Sequence, residues 1–138
     1  MPYVTDTHSI IWHMTDDSKL SKEARRVFQK IDNGLDYIYI PCIVFFELLY
    51  LVEKKKIEVE FNDFVNLTSS SKNYKVEPLC LPIIEKSRTI PRRRIPDPWD
   101  RLIAATSLHL GFPLITRDGT DRYKGWDLIQ YGNPAYNN

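Results

Sequence analysis

The sequence predicts a three-layer α/β fold, an α/β/α sandwich around a mainly parallel sheet. Three observations predict it. Short β-branched and aromatic runs alternate with longer helical stretches, in the order β-α-α-β-α-α-β-α-α-β-β. Strands separated by helices are the pattern of parallel pairing, because a parallel crossover needs a dozen or more residues. The chain has 138 residues, 43% of them hydrophobic. That suits one domain over residues 1–138 with its own core and argues against disorder.

The elements follow in order. Pro2–Thr5 reads as a buried strand and Thr7–Met14 as a helix directly after it. Ser21 is placed to cap a helix over Lys22–Ile31, and Asn33-Gly34 to stop it. Tyr37–Ile40 is the second strand. Ile43–Lys55 is a nearly all-apolar helix ending in Lys54, Lys55 and Lys56, whose charges suit a helix C-terminus. Phe61–Ser70 is a weaker helix, Lys75–Leu79 a third strand, and Leu81–Ile90 a helix that tolerates Pro82 in its first turn. Asp97-Pro98 opens a helix to about Leu110, and Gly111 closes it. Pro113–Thr116 and Trp126–Gln130 complete the strands.

Bulk properties exclude several classes. The net charge is +1, so any attraction for nucleic acid has to be local. No run approaches 18 apolar residues, so no membrane partner is expected. The start, MPYVTDTH, lacks a secretory pattern, which points to a cytoplasmic protein. Cys42 and Cys80 are expected to be small buried thiols, and His8, His13 and His109 do not have zinc spacing. Neither a dinucleotide nor a P-loop glycine motif is present. A phosphoaspartyl phosphatase would need a second Asp where His8 stands.

Four carboxylates carry the candidate chemistry. Asp6 ends the first strand and Asp118 follows the fourth. In an open parallel sheet, ligands bind beyond the carboxyl ends of the strands where the strand order reverses. If strands one and four are neighbours, both acids face one cleft. Glu47 interrupts the apolar run VFFELLYLV. Two readings stand: a carboxylate in a buried helix that is paired, protonated or bound to a cation, or a residue on a solvated stripe with Tyr50 and Lys54. Asp100 sits in the first turn of its helix, where the dipole alone would favour an acid. Its apolar continuation, LIAATSLHLG, brings that turn against the core. Converging carboxylates repel unless a hard cation such as Mg²⁺ neutralises them, and such a cation supports phosphodiester cleavage.

With these residues in place, the chain resembles the PIN-domain family, in particular its VapC-type toxin ribonucleases. The likeness lies in Val4–His8 with Trp12, in Phe46-Glu47-Leu48, in Asp97–Ala105, in Pro113–Asp118, and in Tyr123–Trp126. It runs over essentially the whole chain. Asp97–Ala105 followed by Thr116–Asp118 is its most specific part. The resemblance implies a four- or five-stranded parallel sheet and a Mg²⁺- or Mn²⁺-dependent endoribonuclease. It also implies an antitoxin partner and a homodimer. Asp6, Glu47, Asp100 and Asp118 fall on the family's acidic positions as catalytic and metal-binding residues. Thr116, Asp97 and Asp121 stand behind them as supporting candidates. Asp97 is expected mainly to cap its helix, and Asp121 to be a loop acid.

Arg92, Arg93, Arg94, Arg101 and Arg117 are candidates for the RNA backbone, with Arg122 and Lys124 nearby in sequence. For Arg92–Arg94 a solvated loop or an acidic partner fits equally, and Arg101 could instead pair with a neighbouring carboxylate. Trp12, Phe45, Phe46, Trp99 and Trp126 sit within apolar patterns and are expected in the core or at a dimer interface. The competing function is a non-catalytic PIN-like module that binds RNA or protein.

Overall fold

The computed structural model describes residues 1–117. Among them are four strands, β1 (Tyr3–Thr5), β2 (Ile38–Pro41), β3 (Tyr74–Glu77) and β4 (Leu114–Ile115). Six helices accompany them: α1 (Thr7–Met14), α2 (Lys22–Asp32), α3 (Cys42–Glu53), α4 (Phe61–Ser70), α5 (Leu81–Ser87) and α6 (Pro98–Leu110). Every strand pair is parallel and the order is β3-β2-β1-β4. The result is the three-layer α/β/α sandwich expected from the sequence. The expected strand 126–130, and with it Asp118, Asp121, Arg122, Lys124 and Trp126, lie outside the described residues.

Local chemistry sets the helix ends. The Ser21 hydroxyl accepts from Ala24 N (3.1 Å), and Ala24, Phe28 and Ile31 then fall on one buried face of α2. Gly34 takes φ +77°, and the amides of Gly34 and Leu35 return to the Ile31 and Lys30 carbonyls. Asp97 caps α6, Pro98 occupies its first turn, and Gly111 closes it at φ +75°. The core joins Val4, Ile38, Ile40, Leu114 and Ile115 of the strands to Ile10, Phe28, Val44, Leu48 and Ile103 of the helices. Burying each such side chain contributes about 1.5–3 kcal/mol.

Three expectations need correction. The third helix is not buried all round: only Val44 and Leu48 are buried, while Phe46 is 56% exposed and Tyr50 is exposed too. One side of α3 packs inward. Its outer side offsets exposure locally, with Phe46 against Trp99 (5.4 Å between centroids) and Lys54 over the Tyr50 ring. The helix also ends at Glu53, because Lys55 turns left-handed (φ 56°) and the Lys55 and Lys56 amides fold back onto Val52 and Leu51. The lysines therefore lie beyond the last turn. Second, Cys42 is exposed at the start of α3 and Cys80 is half-buried as the cap residue of α5, so neither is a core thiol. Third, β3 starts one residue early and α5 stops at Ser87, because turns replace its last residues.

At the amino-terminal end of the sheet, Asp32 closes a polar clasp. Its two oxygens meet His13 Nε2 (2.9 Å) and the Tyr74 hydroxyl, which donates at 2.5 Å. His13 also stacks flat on Phe28 (4.3 Å, 9°). The clasp ties α1, α2 and β3 together far from the strand carboxyl ends. Burial and the Asp32 charge hold the Tyr74 hydroxyl protonated well above its ordinary range.

Candidate functional site

The site begins with register. Val4 pairs with Leu114 and Thr5 with Ile115, so the chain leaves β1 and β4 side by side. Strand order reverses there, since β1 leads to β2 on one side and lies beside β4 on the other. Asp6 is the first residue past β1. Its amide donates to Ile115 O (3.0 Å). Its carboxylate is only 6% exposed and accepts from Ser9 N at Oδ1 and from Arg117 N at Oδ2, both at 2.8 Å. Asp6 thus caps α1 and clamps the end of β4 at once. A carboxylate accepting two backbone amides is fixed in direction.

Glu47 comes in from α3. The Thr7 hydroxyl donates to its Oε1 at 2.6 Å, joining α3 to the first turn of α1. Burial pushes the Glu47 carboxyl above the usual carboxylate range, and the Thr7 bond pulls it back. The negative charges of Asp97 and Asp6 push it up again, and Arg117 opposes them. Glu47 is half-buried, so neither simple reading from the sequence describes it fully. It leaves the solvated stripe, yet its helix is not buried.

Asp97 is closer to the chemistry than its capping role suggested. Its Oδ1 accepts from Trp99 N (2.8 Å) and Asp100 N (3.1 Å), and its charge also reaches Glu47. Asp100 lies half-buried in the first turn of α6, as expected. The Phe46–Trp99 ring pair braces α3 against α6, each ring one residue before an acid, Glu47 or Asp100. Thr116 is fully buried just past β4. Thr7 was missed by sequence reasoning, although a hydroxyl directly after Asp6 at the start of a helix was the available signal.

The arginines divide. Arg117 belongs to the site through its amide and its charge. Arg101 is tied to the backbone before its own helix. Its Nε and a terminal nitrogen donate to the Ile90 and Ser87 carbonyls at 3.1 Å each, satisfying the exposed C-terminal groups of α5. Two of its five N–H donors are used in holding α6 to the end of α5 and the turns after it. Arg92 and Arg93 are exposed and line a separate surface hollow with Pro91 and Pro96.

The donor set is all oxygen, and the charges of Asp97 and Asp6 raise the cost of ionising Glu47. That chemistry fits a hard divalent cation rather than a soft one. Among the described residues, no three His, Cys, Asp or Glu side chains come close enough to hold a metal by themselves.

Residues 3–122 match the family model described as the PIN domain. The chain belongs to the PIN domain family. Its membership agrees with the parallel order β3-β2-β1-β4 and with Asp6 at the strand reversal. The PIN chain is similar to Ribonuclease VapC22 of Mycobacterium tuberculosis (strain ATCC 25618 / H37Rv), with 25% identity over 113 residues, covering 82% of this chain and 84% of that protein. It shares its fold with VapBC2 from Rickettsia felis bound to a promoter DNA fragment, at a TM-score of 0.65 and 17% identity, covering 90% and 92% of the two chains. A toxin-antitoxin complex from Klebsiella pneumoniae gives a TM-score of 0.60 at 20% identity, covering 91% and 93%.

Proposed function

We propose that this PIN protein is a Mg²⁺- or Mn²⁺-dependent endoribonuclease, the toxin of a toxin–antitoxin pair, acting in the cytoplasm as a homodimer. The observation that carries the reading is Asp6 fixed at the β1–β4 reversal, with Glu47 brought in by Thr7 and opposed by the charges of Asp97 and Asp6. Likeness to a ribonuclease and to toxin–antitoxin complexes supports it. Asp6, Glu47, Asp100 and Asp118 would hold the cation, with Asp97 adding negative charge behind them. Asp121 and Thr116 stay as supporting candidates, and Arg92, Arg93, Arg94, Arg101 and Arg117 as groups for the RNA backbone.

The residues of the chain divide the work. Asp6 is fixed by two amides, so its direction is set before any ligand arrives. Thr7 orients Glu47 through one hydrogen bond and leaves its second oxygen for a ligand. Arg117 offers positive charge beside the acids, where a phosphate enters. Hydrolysis adds water across a P–O bond, so one fragment keeps the phosphate and the other leaves as an alcohol. The cation, when bound, would polarise the phosphoryl group and stabilise charge on the leaving oxygen.

Purified protein incubated with mixed RNA in Mg²⁺, Mn²⁺ or EDTA tests this reading beside an Asp6→Asn variant. Metal-dependent cleavage that disappears in the variant is the expected result. Intact RNA under every condition would overturn it in favour of a binding module.

A further inference from the structure

A hollow of about 710 Å³ opens beside the acids. His8, Ile11 and Trp12 line it from α1, Leu51 from the end of α3, and Lys56 from the segment after it. Arg117 lines the same hollow. The amide of Arg117 holds Asp6, and its charge bears on Glu47, so the hollow and the acid cluster share a wall. We propose that this hollow seats the stretch of single-stranded RNA next to the scissile bond, with Trp12 as a stacking face and Lys56 on a phosphate. The proposal rests on the ribonuclease reading and adds a substrate subsite to it.

Its chemistry suits a single strand. Bases need an aromatic or apolar floor, and the phosphates between them need cations. Trp12 is half-buried and set edge-on to His8 (6.0 Å, 62°), so its position is fixed by the fold. One part of Trp12 packs against the core, as the sequence suggested, and the rest lines the hollow. Two acids line it against the three cations Lys19, Lys56 and Arg117: Asp17, offset by Lys19 at 3.8 Å, and the exposed Glu58. Among the described residues, Lys56 has no carboxylate at ion-pair distance. A protein segment would also find apolar contacts here. Continuity with the acids favours RNA, because a strand cut at Asp6 has to leave the cleft along a neighbouring wall.

The test measures binding of a fluorescent mixed-sequence oligoribonucleotide on the Asp6→Asn background, and steady-state cleavage on the otherwise native chain. Lys56→Gln is expected to weaken binding about 5- to 10-fold. It should also shrink the slope of log affinity against log salt by about 0.7, the share of one phosphate contact on a single strand. Trp12→Leu keeps the hollow apolar and is expected to weaken binding at least about 5-fold. Both should raise KM and leave kcat within about twofold, with thermal melts close to the parent's for Lys56→Gln. Unchanged KM and salt slope in Lys56→Gln, with the parent still cleaving RNA, would overturn this subsite and assign the hollow to a protein partner. A parent that neither binds nor cleaves RNA would instead overturn the ribonuclease reading itself.

Discussion

Two ends of one sheet handle carboxylates in opposite ways. At the amino-terminal end, Asp32 has a donor for each oxygen, His13 on one and Tyr74 on the other. At the carboxyl end, Glu47 has one hydroxyl donor and faces the like charges of Asp97 and Asp6. The first arrangement completes itself within the protein. The second gathers more negative charge than the described protein groups around Glu47 offset. A structural carboxylate is recognised by its satisfied partners, and a ligand-binding one by charge left over for something else.

The contrast breaks most readily through Asp6. Asp6→Asn is expected to lower RNA cleavage by at least about 100-fold, as loss of a charge preorganised for the transition state does. Asp32→Asn should leave cleavage within about twofold and lower stability by about 1 kcal/mol in urea unfolding. Similar losses of activity in both variants would erase the distinction.

Tyr74→Phe is the next largest change, removing a half-buried hydrogen bond at a cost of about 0.5–1.5 kcal/mol with cleavage unaffected. The same clasp sets an alkaline limit. The folded Tyr74 keeps its proton where an unfolded tyrosine, with a pKa of about 10, would lose it. Unfolding then releases a proton above that pH, so stability should fall as pH rises past about 10. In Tyr74→Phe the fall should be shallower, measured by urea midpoints across the range.

The smallest expected effect is at Asp97. Asp97→Asn retains a capping oxygen for α6, so its melt should stay within about 0.5 kcal/mol of the parent. Cleavage should drop several-fold, because the charge that reaches Glu47 is gone. A full loss of stability with normal cleavage would return Asp97 to a purely structural role.

Much of this was legible in the sequence because it rests on local rules. Ser21, Asp97-Pro98 and Gly111 mark helix ends through backbone hydrogen bonding and φ, which the sequence records directly. Asp6 was legible from its place at the end of a strand. What the sequence hid depends on three-dimensional neighbours. Arg101 looked like a phosphate ligand, but only the fold brings the Ser87 and Ile90 carbonyls within its reach. The apolar run of α3 looked buried, although Phe46 and Tyr50 lie on its outer side. The Thr7 hydroxyl after Asp6 was there to be read, but its partner Glu47 lies 40 residues away and only the fold pairs them.

The most direct measurement is the melting temperature of Glu47→Gln in EDTA and in Mn²⁺, beside the parent. Glutamine keeps an oxygen for the Thr7 bond and removes a charge that burial, Asp97 and Asp6 all oppose. The variant should therefore melt higher than the parent in EDTA at neutral pH, gain less from Mn²⁺, and fail to cleave RNA. A variant that melts lower in EDTA, or that gains as much from Mn²⁺ as the parent does, would contradict the idea that this end of the sheet holds negative charge in reserve for a cation.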